Sequence, residues 1–426
     1  MIATQESAVW WEDAAVHEPV HVLALLFAVL ATVFAVQKTR FGAVFKIVPI
    51  LVFCYFVPTL LSNTGIIPSA PPAKGQPGFP LYGFIMDWLL PASLLLLILA
   101  VDVKAILGLG RPALVMFLTA VVSIVVGGPL AVLALGWMFD AAQADAAWRG
   151  LAALSGSWIG GGANFAAIGE SVQVSAETLG VIVVVDVAIA NVWMIALLYF
   201  ADRHEPMDRA IGADARAVDE VRGKAEAYHA EVAAPTDLPA LLAMAAVAFG
   251  GTVLASELGT FLTAALPKND ILGAFAWKII LVTTLGLGLS FTPLRALEGK
   301  GASRIGSVFL YLLVASIGAK ADFAKVFDPE NLPLVAIGAV WMAFHAGIML
   351  WVRKIVRAPI FFAAVASKAC IGGAASAPIV AAAFSPALAP VGALLAIGGY
   401  VLGTVGGLVC AWLLEMATAF WHVLPA

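Results

Sequence analysis

Charge is scarce in this chain. Asp, Glu, Lys and Arg supply 12% of its 426 residues, against 62% hydrophobic residues, and the mean hydropathy is +1.00. Ordinary soluble domains carry roughly 25% charged residues, so this composition excludes one. Cysteine is just as sparse. Cys54, Cys370 and Cys410 are the whole set, and each falls inside an apolar run. Three such residues make neither a disulfide framework nor a metal cluster; they read as small packing groups. Catalytic signatures are also missing. There is no HExxH, no Gly-x-Ser-x-Gly elbow with His and Asp partners, and no phosphate-binding loop. Those absences argue against an enzyme and against an ATP-driven pump. A nucleic-acid partner is not expected.

What the chain has instead is apolar length. Runs of about 18 to 28 residues, each long enough to cross a bilayer, lie near 20–37, 43–62, 82–101, 111–138, 147–169, 176–201, 238–264, 273–293, 304–320, 332–352, 358–383 and 388–416. They predict about 11 or 12 spans and a multi-pass protein of the cytoplasmic (inner) membrane. The first run is not expected to be a cleaved signal. Residues 1–19 carry Glu6, Glu12, Asp13 and Glu18 and no Lys or Arg, so no basic n-region precedes it. One long polar stretch, from Asp202 to Pro235, is rich in Ala and charge and reads as a solvated connector, with a short polar helix over 215–233. It divides the chain into a first membrane repeat (1–201), a connector (202–236) and a second membrane repeat (237–426).

The halves share a motif. Ser155-Gly156-Ser157-Trp158-Ile159-Gly160-Gly161-Gly162-Ala163-Asn164 aligns without gaps on Ser367-Lys368-Ala369-Cys370-Ile371-Gly372-Gly373-Ala374-Ala375-Ser376, at a shift of 212 (367 − 155 = 212). Phe45-Lys46-Ile47 matches Trp277-Lys278-Ile279 at 232, and Asp102 before Lys104 matches Asp322 before Lys325 at 220. The matches are colinear, as shorter loops in the second half would make them.

Basic clusters test the orientation of the halves. Lys38, Arg40 and Lys46 form one, Lys104 and Arg111 a second, Arg295, Lys300 and Arg304 a third, and Arg353, Lys354 and Arg357 a fourth. If all are cytoplasmic, matched helices run oppositely and the repeat is inverted. A plain twelve-span count makes the halves parallel instead. Either one segment is miscounted, with Gly250-Gly251 marking 238–264 as a re-entrant hairpin, or the charge bias misleads at one loop.

Glycine runs inside a membrane segment end a helix where lipid cannot satisfy its backbone. Paired breaks in two halves point to a transporter site. Ser155, Ser157, Gly160, Gly161, Asn164, Ser367, Lys368, Gly372, Gly373 and Ser376 are therefore the candidate substrate-binding residues. The bland alternative is that small residues let helices pack closely. Asp186, mid-span, costs several kcal/mol unless paired, protonated or ion-bound; with Asn164, Asn191 and Ser376 it makes the candidate ion-coupling set. Lys368 could pair with Asp186, attract a substrate carboxylate, or snorkel. His345 reads as a packing residue and Asp87 as an interfacial one.

At these motifs the chain resembles the domain of unknown function 819 membrane family. The resemblance rests on 156–165 and the Val-Val-Asp-Val-Ala-Ile-Ala-Asn span ending at Asn191. It also rests on Thr283 to Pro293, Ile371 to Pro378 and Pro386 to Gly392, and it covers nearly all of the chain outside the N-terminal tail and connector. That family is grouped with the cation:proton antiporter and anion transporter superfamily, whose members include sodium-coupled bile acid, glutamate and 2-hydroxycarboxylate symporters. The resemblance implies an all-α polytopic protein of two inverted repeats, with a scaffold domain and a moving core domain holding two crossing discontinuous helices. It also implies a nearby ion site and a homodimer. The expected function is ion-coupled secondary active transport (symport) of a small organic anion, such as an acidic amino acid, short peptide or carboxylate. The alternatives are a cation:proton antiporter and, more remotely, a non-transporting sensor. The expected partners are that anion, a coupling cation and the lipid bilayer, with no cofactor unless Na⁺ serves.

Overall fold

The computed structural model describes residues 10–42, 50–69, 71, 76–214, 216–221, 235–266, 271–321, 329–385 and 388–422. Phe45-Lys46-Ile47, Asp322, Lys325, Pro386 and most of the expected 215–233 helix lie outside them. Every regular element among the described residues is helical. The first half contains α1 (Pro19–Gln37), α2 (Ile50–Asn63), α3 (Pro80–Leu99), the short α4 (Val103–Gly108), α5 (Arg111–Leu135), α6 (Ala141–Ser171) and α7 (Ala176–Asp202). After the short α8 (His204–Arg209) come α9 (Leu238–Ala265), α10 (Ala274–Ser290), α11 (Ala302–Ala319), α12 (Leu332–Val356), α13 (Ile360–Cys370), α14 (Gly373–Phe384) and α15 (Ala389–Ala419).

Local chemistry sets the starts. Proline occupies the first turn of α1, α5, α9, α12 and α15, where its missing N–H costs nothing. Asp140 and Gln143 form a capping box on α6, Ser175 caps α7, and Asp237 caps α9.

Among the described residues eight helices are long and apolar enough to cross a membrane, fewer than the 11 or 12 runs predict. The suspicion about 238–264 is corrected. α9 is one continuous helix of 28 residues, about 42 Å long at 1.5 Å per residue. Gly251 serves packing: a methyl group built on it would stand 2.4 Å from Leu95 Cδ1.

Two bodies pack separately. One core joins buried residues of α5, α6, α7 and α12 to α15. A second joins α1, α2, α3, α10 and α11, with α9 attached through Met244 and Ala248 against Leu96 and Leu99. Ala163, Ala166 and Ala167 of α6, with Tyr400 of α15, reach across into the second core, and Ala276 of α10 reaches into the first.

Three of the basic clusters share one end. Arg295 pairs with Asp102, beside Lys104 and Arg111. α5 and α12 run antiparallel, since Ser123 Oγ lies 2.7 Å from His345 Nδ1 while Trp341 Nε1 donates to Ile124 O and its ring covers Gly128. Arg111 and Arg353 to Arg357 are therefore on the same face. Asp208 Oδ1 there accepts from Arg353 Nη2 at 2.6 Å and from Ile360 N at 2.7 Å. The opposite face carries the end of α5, where Trp421 and His422 donate to or meet Val132 O and Gly136 O.

The chain turns back at both glycine breaks. In a straight helix, residues 23 positions apart are separated by about 34 Å. Yet Arg149 Nη1 donates to Val172 O at 2.5 Å, and the rings of Phe361 and Phe384 are 5.3 Å apart. These two closing pairs are equivalent under the same repeat shift (361 − 149 = 212, 384 − 172 = 212). α6 is thus two antiparallel arms, and α13 with α14 makes a second hairpin. Both segments are thus discontinuous, and the chain reverses at each break. Segments 147–169 and 358–383 accordingly do not cross, which accounts for much of the excess in the span count.

Candidate functional site

Each reversal is made by glycine. Gly160 has φ −136° and ψ 17°, and Gly161 has φ 72° and ψ −169°. Gly372 has φ 105° and Gly373 φ 58°. Positive φ is open to glycine and strained for L-residues. The first hairpin enters from the face opposite the basic clusters, after α5 ends. The second enters from the basic face, at Ile360. Their tips meet in the interior: a methyl group built on Gly373 would lie 3.9 Å from Gly161 Cα.

The first tip is held shut by an amide. Asn164 is fully buried. Its Nδ2 donates to Gly160 O at 3.2 Å and Tyr400 O at 3.1 Å, and its Oδ1 accepts from Thr404 Oγ1 at 2.8 Å. Thr404 is linked at 3.0 Å to Thr283 of α10. A glycine seat on α15 makes this approach possible. A methyl group on Gly403 would stand 2.6 Å from Asn164 Nδ2 and 2.7 Å from Gly160 Cα.

Asp186 of α7 faces the first arm of α6. Ser157 Oγ donates to its Oδ2 at 2.5 Å and Trp158 Nε1 to its Oδ1 at 2.8 Å. The carboxylate borders a narrow cavity of about 50 Å³ lined by Tyr55, Ser157, Gly162, Phe165, Val183, Asp186, Val187, Val314 and Ile317. Tyr55, Val314 and Ile317 belong to the second body, and the others to the first. The cavity therefore sits where the bodies meet. It accommodates a water or a bare cation and is far below the ~300 Å³ of an organic-ligand pocket. Tyr55 Oη is buried there without a hydrogen-bond partner.

Lys368 is 3% exposed, so it does not snorkel. Its Nζ donates to Ala190 O at 3.2 Å. No hydrogen bond or ion pair joins it to Asp186, whose carboxylate is held by Ser157 and Trp158. Ser376 Oγ, beside it, is buried with no hydrogen-bond partner.

Other candidates lie away from the tips. Ser155 Oγ donates to Ala152 O at 2.6 Å within its own helix. Ser367 Oγ accepts from Trp193 Nε1 and meets His345 Nε2, both at 2.7 Å. His345 also meets Ser123, so it is a satisfied packing residue. Asn191 Nδ2 donates to Val187 O at 2.8 Å, five residues along from Asp186. Asp87 is exposed and meets Lys278 Nζ at 3.7 Å. The sequence reading missed Trp158, Tyr55, Thr404 and Tyr400 as partners. Trp158 sits inside the motif and was visible there. The others carry no pattern, because each meets its partner across the two bodies or across 236 to 240 residues of chain. Among the described residues no group of three or more His, Cys, Asp or Glu is arranged to hold a metal ion.

These features define a polytopic, all-helical membrane protein with two hairpins meeting inside it. The chain belongs to the family described as "Protein of unknown function (DUF819)", whose profile matches residues 24–417. It is also 24% identical over 364 residues to the uncharacterized membrane protein YjcL of Bacillus subtilis (strain 168), across 82% of this chain and 85% of that protein.

Proposed function

We propose that the protein is an ion-coupled secondary active transporter of a small organic anion, such as an acidic amino acid, a short peptide or a carboxylate. One observation carries this reading. Two glycine-tipped hairpins enter from opposite faces and meet beside a buried carboxylate, at the boundary between two separately packed bodies. Irregular backbone at membrane depth survives where it is enclosed by protein or lines a cavity. A boundary between two bodies at such a site permits alternating access.

The same geometry supports an inverted repeat. Taking one crossing out of each half leaves an odd number in each, so matched helices would point oppositely. That favours inverted repeats without re-entry at 238–264. The first body is then the moving core and the second the scaffold. The shared basic face lies in the cytoplasm by the positive-inside rule. Thiols introduced as Arg111→Cys and Arg357→Cys should both react with an impermeant maleimide only when the cytoplasmic face is open. Labelling from opposite sides would overturn the inverted arrangement.

A cation:proton antiporter is the second reading. It is favoured by the size of the cavity at Asp186, which takes an ion and no organic anion. Proteoliposomes separate the two. A thermal-shift screen of anionic metabolites, with and without Na⁺, selects the substrate. Its uptake should then be driven by an imposed Na⁺ or H⁺ gradient. Cation-for-proton exchange without anion uptake establishes the antiporter, and no flux of either kind removes both readings.

A further inference from the structure

The two hairpin tips correspond in sequence and differ in chemistry. Positions 376 and 368 match 164 and 156 (376 − 212 = 164, 368 − 212 = 156). At the first tip the Asn164 amide is closed on Gly160, Tyr400 and Thr404, and Gly156 brings no charge. At the second tip Ser376 is 8% exposed and its hydroxyl has no partner. The Lys368 ammonium has three donors and makes one hydrogen bond, to Ala190 O. Both groups flank Gly372. A methyl group built there would stand 2.4 Å from Ser376 Oγ and 3.2 Å from Lys368 Nζ. The missing side chain lets both groups close on the Gly372 backbone, and Gly372 itself is exposed.

The 12-residue α14 begins at this point, with Gly372 as a left-handed N-cap that supplies no side-chain cap. Its first-turn N–H groups have no partner within the helix, and its dipole makes this end positive. An orphan hydroxyl, a buried ammonium and an uncapped helix start thus converge, and none of the three is hydrogen-bonded to an acidic side chain.

We infer that the tip of the second hairpin is a site for one compact carboxylate of the transported solute, held by Ser376, Lys368 and the start of α14, while the first tip is a closed seat that binds no anion. This deepens the transporter reading and rests on it. It divides the labour between the halves: the anion on the second hairpin, the coupling ion beside Asp186 and the first.

The local potential can be read without knowing the solute. In the full-length chain with Cys54, Cys370 and Cys410 replaced by alanine, Ser376→Cys places a thiol at the site. Two methanethiosulfonates, 2-sulfonatoethyl and 2-(trimethylammonio)ethyl, each transfer their thioalkyl group to the thiolate, forming a disulfide and releasing methanesulfinate. Rates are normalised to those with free 2-mercaptoethanol. The anionic reagent should be favoured about tenfold or more, the scale of a nearby unit charge. Adding Lys368→Gln should remove most of that preference, and Asn164→Cys should show none. Equal rates, a cationic preference, or reaction with neither reagent overturns the site. So does a preference that survives Lys368→Gln. If the Ser376→Cys chain does not fold, Ala374→Cys in the same first turn carries the same measurement. Anion uptake without this preference keeps the transporter and overturns the site; the preference without any uptake does the reverse.

Discussion

On the proposed transporter reading, Asp186→Asn protein should fold like its parent and still bind substrate, but should no longer concentrate that substrate against a gradient. The prediction follows from the partners of the carboxylate. Trp158 Nε1 can only donate, and it donates to Oδ1. Ser157 Oγ donates to Oδ2, yet a hydroxyl can also accept. An asparagine can therefore turn its oxygen to Trp158 and its amino group to Ser157. Every polar group keeps a partner, so no buried orphan penalty of ~1–3 kcal/mol arises. What is lost is the negative charge and the ability to bind and release a proton or cation. Uptake into proteoliposomes, with and without an imposed Na⁺ or H⁺ gradient, should fall to simple equilibration. Counterflow of labelled against unlabelled substrate should persist. If Asp186→Asn protein accumulates substrate with unchanged ion dependence, Asp186 is structural and coupling lies at the backbone carbonyls of the tips.

The second large effect is on stability. Gly403→Val should lower stability by about 3 kcal/mol, the upper end for overpacking. The added carbons would meet Gly160 Cα and the Asn164 amide. Neither can swing aside as a flexible side chain would, because one is backbone and the other closes the tip through three hydrogen bonds. Gly250→Val on α9 is the control, since nothing lies within 4 Å of a methyl group built there. Thermal unfolding in detergent should separate the two variants clearly. Equal melting temperatures would mean that α15 does not seat the first hairpin.

Much of the geometry of the candidate site was legible along the chain. The glycines marked where helices must stop, because lipid offers no partners to an open backbone. The shift of 212 tied the breaks together, and the same shift recurs in the pairs that close the hairpins, Arg149 with Val172 and Phe361 with Phe384. Asp186 stood out as a charge in an apolar span. Less legible was the role of each polar neighbour. Ser155 and Ser367 look alike in the motif, yet each is satisfied inside packed helices, one by its own backbone and one by Trp193 and His345. Asn164 and Ser376 occupy matched positions and end in opposite states, one saturated and one without a partner.

The sequence by itself determined the solvent, the matched order of the two glycine motifs and the positions of the breaks. All three follow from local quantities: apolar length, matched order and the conformational freedom of glycine. Only the tertiary structure decided where the chain goes after each break. A positive φ ends a helix without choosing between going on and turning back. The turn is fixed by contacts 23 residues apart and by the glycine face of α15. Gly250-Gly251 shows the converse. The same residue pair that suggested a reversal sits in an unbroken helix, because Leu95 packs into the space that Gly251 leaves. The pairing of Asp186 with Trp158, and its cavity with Tyr55, likewise required separate helices to meet, and no spacing along one helix encodes that.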